Sequence, residues 1–133
     1  MKSYTNLEQS KKLAEILPLE SADMSWYKET EIFQFELHTL PYSRHFVRND
    51  GGDELIPCWT VAAIIELLPY DIKGHNLAIY KSYCPNEKNF AYELSYEGDF
   101  SDYELSILAS TSSIELIDAC YEMIIKLYEL NLL

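Results

Sequence analysis

Apolar residues recur over the last part of the chain at the spacing of a helix that is covered on most of its circumference. Between residues 112 and 130 the charged side chains fall on one narrow stripe, and nearly every other position is apolar. The stripe consists of Glu115, Asp118, Glu122, Lys126 and Glu129. Ser112 and Glu115 have the spacing of a capping box, which predicts the start of the helix. The pattern therefore predicts a long, buried C-terminal helix at the centre of the core.

Two shorter helices are predicted upstream. The first spans 6–17, with Thr5 and Glu8 as its capping box and Pro18 as its stop. The second follows Pro57, because proline suits the first position of a helix, and it ends before Pro69. Both are amphipathic or largely apolar, so we expect both to pack on the core.

Alternation of apolar and polar residues predicts the strands. In the first half of the chain, residues 31–38 alternate well, 42–48 follow as a further strand, and 22–27 give a weaker pattern. In the second half the strands are predicted at 75–83, 90–97 and 103–109. The pair 75–83 and 90–97 is predicted to form a hairpin. The face of its second strand that carries Phe90, Tyr92, Leu94 and Tyr96 is predicted to be apolar.

These elements predict one α+β domain over residues 1–133, in the order α-β-β-α-β-β-β-α. The short connections favour antiparallel pairing, and the alternating strands favour a sheet with one covered face. We expect an antiparallel sheet of about four to five strands, with the three helices mainly on one face. A chain of 133 residues is long enough to bury a core of this kind.

The net charge of the chain limits the kinds of molecule that we expect it to bind. The formal net charge is −12, and residues 89–133 hold nine acidic side chains against the single Lys126. Such a surface repels nucleic acid and anionic lipid and attracts basic proteins. The same charge also serves solubility alone in many proteins. We therefore expect no nucleic acid or membrane partner, and a basic protein as the partner if there is one.

The cellular location of the protein is predicted from targeting signals and cysteine pairs, which we do not find in this sequence. The N-terminus has no apolar signal-peptide core, and no apolar run approaches the ~18 residues of a membrane span. The three cysteines, Cys58, Cys84 and Cys120, are an odd number without a CxxC pair, which argues against a disulfide framework and a zinc knuckle. We expect a cytoplasmic protein.

Motifs for catalysis and cofactor binding are sparse. The histidines His38, His45 and His75 lack metal-site spacing, so we predict no metal site, and the four glycines form no phosphate-binding loop. Cys58 at the start of the second predicted helix has two interpretations, an activated thiol or a packed one, and packing is favoured. No serine or cysteine stands in an activating context. We predict a protein that is not an enzyme and has no cofactor.

Three groups of residues are candidates for binding. Arg44, His45 and Arg48 form a cationic spot in a predicted strand, where they dock an anion or pair with nearby carboxylates. The tyrosines, Tyr92 and Tyr96 among them, either contact a partner or cap the edge of the core. The acidic turn with Asp99 and Asp102 either binds a partner or cation, or is a solvated turn.

Three segments carry a resemblance to a known group. LEQSKKLAEILPLESADM at the start, IPCWTVAAIIELLP in the middle and IDACYEMIIKLYELNLL at the end cover about a third of the chain. They resemble recurring blocks of small uncharacterised proteins from gut anaerobic bacteria and their mobile elements. The resemblance implies a shared helical frame with a variable sheet. It brings no activity and no site residue with it.

The sequence thus leads to one main hypothesis of function and two alternatives. The main hypothesis is a non-enzymatic, acidic protein-binding module, inhibitor- or immunity-like or an accessory of a mobile element. The first alternative is a small-molecule (anion) binding protein or weak hydrolase that uses the Arg44/Arg48 patch. The second is a homo-oligomeric structural protein whose apolar end, ELNLL, is covered by a second chain.

Overall fold

The computed structural model describes residues 2–28, 34–39, 54–101 and 104–133, with the side chains of 99–101, 104 and 105 excepted. Within this part of the chain, three α-helices and two antiparallel sheets confirm the predicted α+β class. The contacts divide the chain into an N-terminal unit, Tyr4–Ile64, and a C-terminal unit, Ile65–Leu133 with the first three residues. That the whole chain is a single domain stays a prediction.

The elements of the N-terminal unit are α1 (Leu7–Ala14), a short 3₁₀ turn (Leu19–Ser21), β1 (Met24–Lys28), β2 (Glu36–His38) and β3 (Glu54–Cys58). The helix α2 (Val61–Leu67) begins in this unit and crosses into the next. The elements of the C-terminal unit are β4 (Asp71–Ile72), β5 (His75–Cys84), β6 (Asn89–Ser101), β7 (Glu104–Ser113) and α3 (Leu116–Glu129).

The N-terminal unit is built on a three-stranded sheet in the order β2-β1-β3, against which α1 packs at β3. Its core contains the fully buried side chains of Leu13, Cys58 and Trp59. Thr5 joins the chain start to this core: its N–H donates to the carbonyl of Trp59 at 2.9 Å, and its Oγ1 accepts from the Trp59 N–H at 3.2 Å. The buried hydroxyl of Thr5 is thus part of the structure of the core.

The C-terminal unit is built on a four-stranded sheet in the order β4-β5-β6-β7. The helix α3 packs on β6 and β7, over the face of the sheet that carries Leu94, Tyr96 and Thr111. The Thr111 hydroxyl donates to the carbonyl of Ala119 at 2.8 Å, which fixes α3 on this face. The buried residues of α3 are Ile117, Ala119, Cys120, Met123, Ile124 and Leu127. The predicted buried C-terminal helix is confirmed.

Both predicted capping boxes are wrong. The helix α1 is capped by Asn6 and Gln9, whose side chains each bond the other's backbone N–H, because the Thr5 hydroxyl is engaged in the core instead. The helix α3 begins at Leu116 without a side-chain cap, because Ser112 is still paired with β6 as part of β7. Tertiary contacts outweigh the local capping signal at both sites.

The strands are divided between two sheets, where a single sheet of four to five strands was predicted. The prediction also placed Pro57 at a helix start, whereas Pro57 pairs with Ser25 in β3. Among the described strands, β3 lies at the edge of its sheet, and an edge position tolerates a residue without an N–H. The helix α2 consequently begins only at Val61.

The hairpin of the second half is confirmed as β5 and β6, and the weaker pattern at 22–27 corresponds to β1. The strand predicted at 31–38 is observed only as β2, since residues 31–33 lie outside the described part and 34–35 are not strand. The strand predicted at 42–48 lies entirely outside the described residues.

Candidate functional site

Most of the predicted binding residues lie outside the part of the chain that the structure describes. This applies to Arg44, His45, Arg48 and Asp102. The backbone of Asp99 belongs to β6, but its side chain lies outside the described atoms. The cationic spot and the acidic turn therefore stay predictions.

Tyr92 and Tyr96 share a face of β6 but have different environments. Tyr96 is fully buried, and its hydroxyl donates to the carbonyl of Pro69 at 2.6 Å. Burial raises the pKa of Tyr96 to about 12. The structure therefore places Tyr96 in the core, where no partner reaches it. Tyr92 lies four residues nearer the hairpin loop and is only half-buried.

Tyr92 belongs to a group of apolar side chains at the loop end of the hairpin, which we call the aromatic patch. Its members are Ile79, Tyr83, Phe90, Tyr92 and Ile114. The register of the two strands brings the first four together, since Tyr83 is paired with Phe90 and Ile79 with Leu94 next to Tyr92. Tyr83 and Phe90 are 55% and 48% exposed. The patch is thus a group of apolar side chains in contact with water, with Lys81 among them.

Ring contacts hold the patch in a defined arrangement. The rings of Tyr83 and Phe90 meet edge to face, with their centroids 5.4 Å apart. The Lys81 ammonium lies 5.0 Å from the ring centroid of Phe90 and 5.5 Å from that of Tyr92, a cation–π arrangement. A hollow of about 260 Å³ lies beside these rings and is closed on one side by Ile114 and Glu115.

The position of α3 explains why the patch is exposed. The helix covers β6 and β7, and the loop end of the β5–β6 hairpin extends beyond it. On this face the residues under α3, Leu94 and Tyr96, are buried, whereas Phe90 and Ile79 are exposed. The same alternating pattern therefore produces core in the middle of the strand and exposed apolar side chains near the hairpin loop.

The opposite face of the sheet carries mainly small and polar side chains. The Tyr80 hydroxyl donates to Glu97 at 2.6 Å, and this carboxylate raises the pKa of Tyr80. The hydroxyl of Ser110 bonds to Glu93 at 3.5 Å. Ser95, between the two glutamates, is fully buried, and its hydroxyl has no hydrogen-bond partner among the described residues. This face offers acidic and hydroxyl groups but few apolar ones.

A serine and a histidine that the sequence analysis did not connect lie together at the β-bulges of β6 and β7. His75 Nε2 is 3.0 Å from the Ser106 Oγ, and its Nδ1 is 3.0 Å from the carbonyl of Lys73. The carbonyl can only accept, so Nδ1 donates to it, and in a neutral ring Nε2 then accepts from the Ser106 hydroxyl. The pair is exposed to water, which leaves the hydroxyl without the low-dielectric surroundings that strengthen catalytic hydrogen bonds.

Gly98 makes room for this histidine. A Cβ at position 98 would lie 2.8 Å from His75 Cδ2, so Gly98→Ala must displace the ring and break its bond with Ser106. We expect Gly98→Ala to lower the free energy of unfolding by about 1 kcal/mol in wild-type protein. In a His75→Ala background the same change should be neutral or stabilising, because alanine restricts the unfolded chain more than glycine does.

Urea denaturation of the four proteins, followed by far-UV circular dichroism, measures this coupling. An equal loss from Gly98→Ala with and without the histidine ring would contradict the arrangement.

The cysteines are unpaired, and the two buried ones are poor nucleophiles. Burial raises the pKa of Cys58, and burial raises that of Cys120 to about 12. Cys58 lies in β3 rather than at a helix start, and its thiol bonds to the carbonyl of Thr5. The interpretation of Cys58 as a packed residue fits the structure.

The described residues were also compared with the requirements for metal binding and membrane insertion. Among them, no three His, Cys, Asp or Glu side chains come close enough together to hold a metal ion. None of the helices in the described ranges combines the length and apolar character that a bilayer crossing requires.

Comparison of the chain with protein-family models, with curated proteins and with solved structures finds no match. The candidate site is therefore defined by its geometry alone. Sequence reasoning identified the apolar face of β6 but not which part of it is exposed. Nothing in the sequence signalled the contact of His75 with Ser106, because the two residues are 31 positions apart.

Proposed function

We propose that this chain is a non-enzymatic, acidic protein-binding module and that its partner docks on the aromatic patch. The observation that carries the proposal is the concentration of exposed apolar side chains at one end of one sheet face, in contact with water. Contiguous exposed apolar side chains of this kind mark interaction sites in soluble proteins. Tyrosine and phenylalanine are also enriched in protein interfaces.

The rigidity of the patch supports the same proposal. Tyr83, Phe90 and Tyr92 stand on paired strands, and their rings are in contact with one another or with Lys81. Side chains that are already ordered lose little conformational entropy on binding. The hollow beside Ile114 and Glu115 provides a place for one protruding apolar side chain of the partner.

The charge of the chain favours a basic partner. With a net charge of −12, the chain attracts cationic proteins over a distance of about one Debye length, which speeds association at low salt. An inhibitor- or immunity-like role against a basic target, or an accessory role in a mobile element, fits this chemistry. A cytoplasmic location fits the three free thiols.

Matched variants test the role of the patch. The chain is immobilised, and the proteins that it retains from a lysate at low salt are compared with those retained by Tyr83→Ala, Phe90→Ala and Tyr70→Ala. Tyr70 is 74% exposed and lies outside the patch, so it controls for the loss of an exposed tyrosine. We expect Tyr70→Ala to retain the same proteins as the wild type. Each patch variant should bind the specific partner with an affinity at least about tenfold weaker and so no longer retain it.

Two results would contradict the proposal. Retention of the same proteins by wild type and both patch variants would show that the patch is not the contact. Retention that does not weaken as salt is raised would show that a basic partner is not selected by charge.

A further inference from the structure

The C-terminal unit has a second surface, on the other side of α3 from the aromatic patch. A groove of about 400 Å³ lies between β7 and the outer flank of α3, and we call it the edge groove. Its strand side is formed by Ser110–Ser112, and its helix side by Tyr121, Glu122, Ile125, Lys126 and Glu129. All of these residues belong to one unit, so the groove is complete within it.

The strand side of the groove is an edge of the sheet as the described strands form it. In the order β4-β5-β6-β7, β7 is the last strand, and within the described ranges it pairs only with β6. In an antiparallel ladder, the N–H and C=O groups of two paired residues point either towards the partner strand or away from it. The two kinds of pair alternate along the strand. The carbonyl of Ser110 accepts a hydrogen bond from Lys126 Nζ at 2.7 Å, so it points away from β6.

The same alternation places the backbone groups of Ser112 on the outer edge, since Ser112 is two residues from Ser110 in a regular part of the ladder. The edge of the groove therefore presents the N–H and C=O groups of Ser110 and Ser112. Lys126 covers one of these four groups. A lysine in this position is a common protection of an edge strand against unwanted pairing.

The helix side of the groove supplies a surface for side chains. Tyr121 and Ile125 are half-buried and one turn apart on α3, so they form an apolar wall beside the strand edge. Glu122 and Glu129 also line the groove from α3 and add two carboxylates to its helix side. On the opposite face of the sheet, Glu93 is bonded to Ser110 directly beside the edge.

We propose that the edge groove binds an extended, basic peptide segment of a partner protein, which adds as a fifth strand to β7. The backbone of the segment bonds to Ser110 and Ser112, as in strand addition to other sheet edges. Its apolar side chains contact Tyr121 and Ile125, and its basic side chains lie near Glu93, Glu122 and Glu129. Lys126 is the displaceable cover of the edge: the incoming strand replaces its hydrogen bond to Ser110.

Charge decides between this partner and a second copy of the chain. Pairing of two β7 edges would bring together two chains of net charge −12, each with acidic groups lining the groove. Like charges across a contact disfavour association, whereas a basic segment is attracted. The proposal goes beyond the aromatic patch, because it concerns a different surface and a different mode of recognition.

The test uses a defined probe. A seven-residue peptide of alternating lysine and valine, blocked at both ends and fluorescently labelled, is titrated with the full chain, and its anisotropy is measured at low salt. Two further versions are N-methylated, one at the valines and one at the lysines. Only one of these two sets of N–H groups faces β7 in strand addition. We expect one version to bind at least tenfold more weakly and the other to bind nearly as well as the unmodified peptide.

Two variants of the protein complete the test. Ser112→Pro removes an outward N–H from an edge strand, where proline is tolerated, and should weaken binding at least about fivefold. Lys126→Met removes the cover and a positive charge, so binding should become about three- to tenfold tighter. Lys12→Met on α1 makes the same change of net charge far along the chain from the groove and should have little effect.

Several results would overturn the proposal. Equal binding of both N-methylated peptides at the level of the unmodified one would show attraction by charge without strand addition. If the Lys126→Met and Lys12→Met variants bind the peptide with the same affinity, Lys126 does not protect the strand edge. This comparison holds even if Ser112→Pro does not fold. A concentration-dependent dimer that Ser112→Pro abolishes, without peptide binding, would assign the edge groove to a second copy of the chain.

Discussion

Replacement of Ile124 by alanine is expected to lower the free energy of unfolding by about 3 kcal/mol. Ile124 is fully buried in the centre of α3, where the helix packs on β6 and β7. Alanine has the highest helix propensity, so the helix itself is not weakened. The loss therefore measures the buried contacts and the cavity that is left behind.

Tyr128 provides the matched control on the same helix. It is 52% exposed, and Tyr128→Ala should cost about 1 kcal/mol or less. Denaturant unfolding followed by far-UV circular dichroism compares the two variants with wild type. Equal losses would contradict the placement of Ile124 in the core and Tyr128 on the surface.

Thr5→Val is expected to lower the free energy of unfolding by about 2–3 kcal/mol, although the two side chains have nearly the same shape. The Thr5 hydroxyl accepts from the N–H of Trp59 at 3.2 Å and lies 2.7 Å from the Ser10 hydroxyl. It also donates to the sulfur of Cys58 at 3.6 Å. Valine leaves the buried N–H of Trp59 without this acceptor, which costs more than the loss of a solvent-exposed hydrogen bond.

Thr5→Ser separates the contribution of the hydroxyl to stability from that of the methyl group, because serine keeps the hydroxyl and lacks only the methyl group. We expect Thr5→Ser to cost about 1 kcal/mol, clearly less than Thr5→Val. Both tryptophans of the chain, Trp26 and Trp59, lie in the N-terminal unit, so tryptophan fluorescence follows its unfolding directly. If Thr5→Ser were the less stable variant, packing of the methyl group and not the hydroxyl would hold this core.

The two proposed surfaces of the C-terminal unit are separable by experiment. Both depend on α3, which leaves the aromatic patch uncovered on one side and forms a wall of the edge groove on the other. Phe90→Ala alters only the first surface and Ser112→Pro only the second. A partner that carries both a protruding apolar residue and an extended basic segment would be weakened by each change, and a partner that uses one surface by only one of them.

Local patterns predicted the elements of the C-terminal unit well. The alternation over 90–97 assigned Tyr92, Leu94 and Tyr96 to one face of a strand, and the structure has them there. The helical period over the last part of the chain predicted the burial of α3. These predictions hold because the faces of a strand or helix follow from its own geometry.

The candidate site was less predictable, since it depends on which parts of a face are covered. Phe90 and Tyr96 belong to the same apolar face, but only Tyr96 lies under α3. A period of two identifies the face and carries no information about where along the strand a helix lies. The place of β7 at the edge of the sheet that the described strands form likewise follows from the strand order, which the sequence pattern does not specify.

The capping boxes show the same limit at single residues. Thr5 and Ser112 have the right spacing for caps, yet Thr5 is engaged by Trp59 and Ser112 is paired with Glu93. Local capping contributes about 1 kcal/mol, and a buried hydrogen bond or a ladder position is worth at least as much. The partners that decided the outcome are distant in the chain.

The sequence by itself determined the α+β class, the hairpin, the buried C-terminal helix and the strong negative charge, because each is a property of composition or of short-range periodicity. Only the tertiary structure decided the division into two sheets, the exposure of Phe90 and Tyr83, and the contact of His75 with Ser106. These features arise from packing between residues far apart in the chain, and side-chain periodicity within one element does not encode which distant element packs against it.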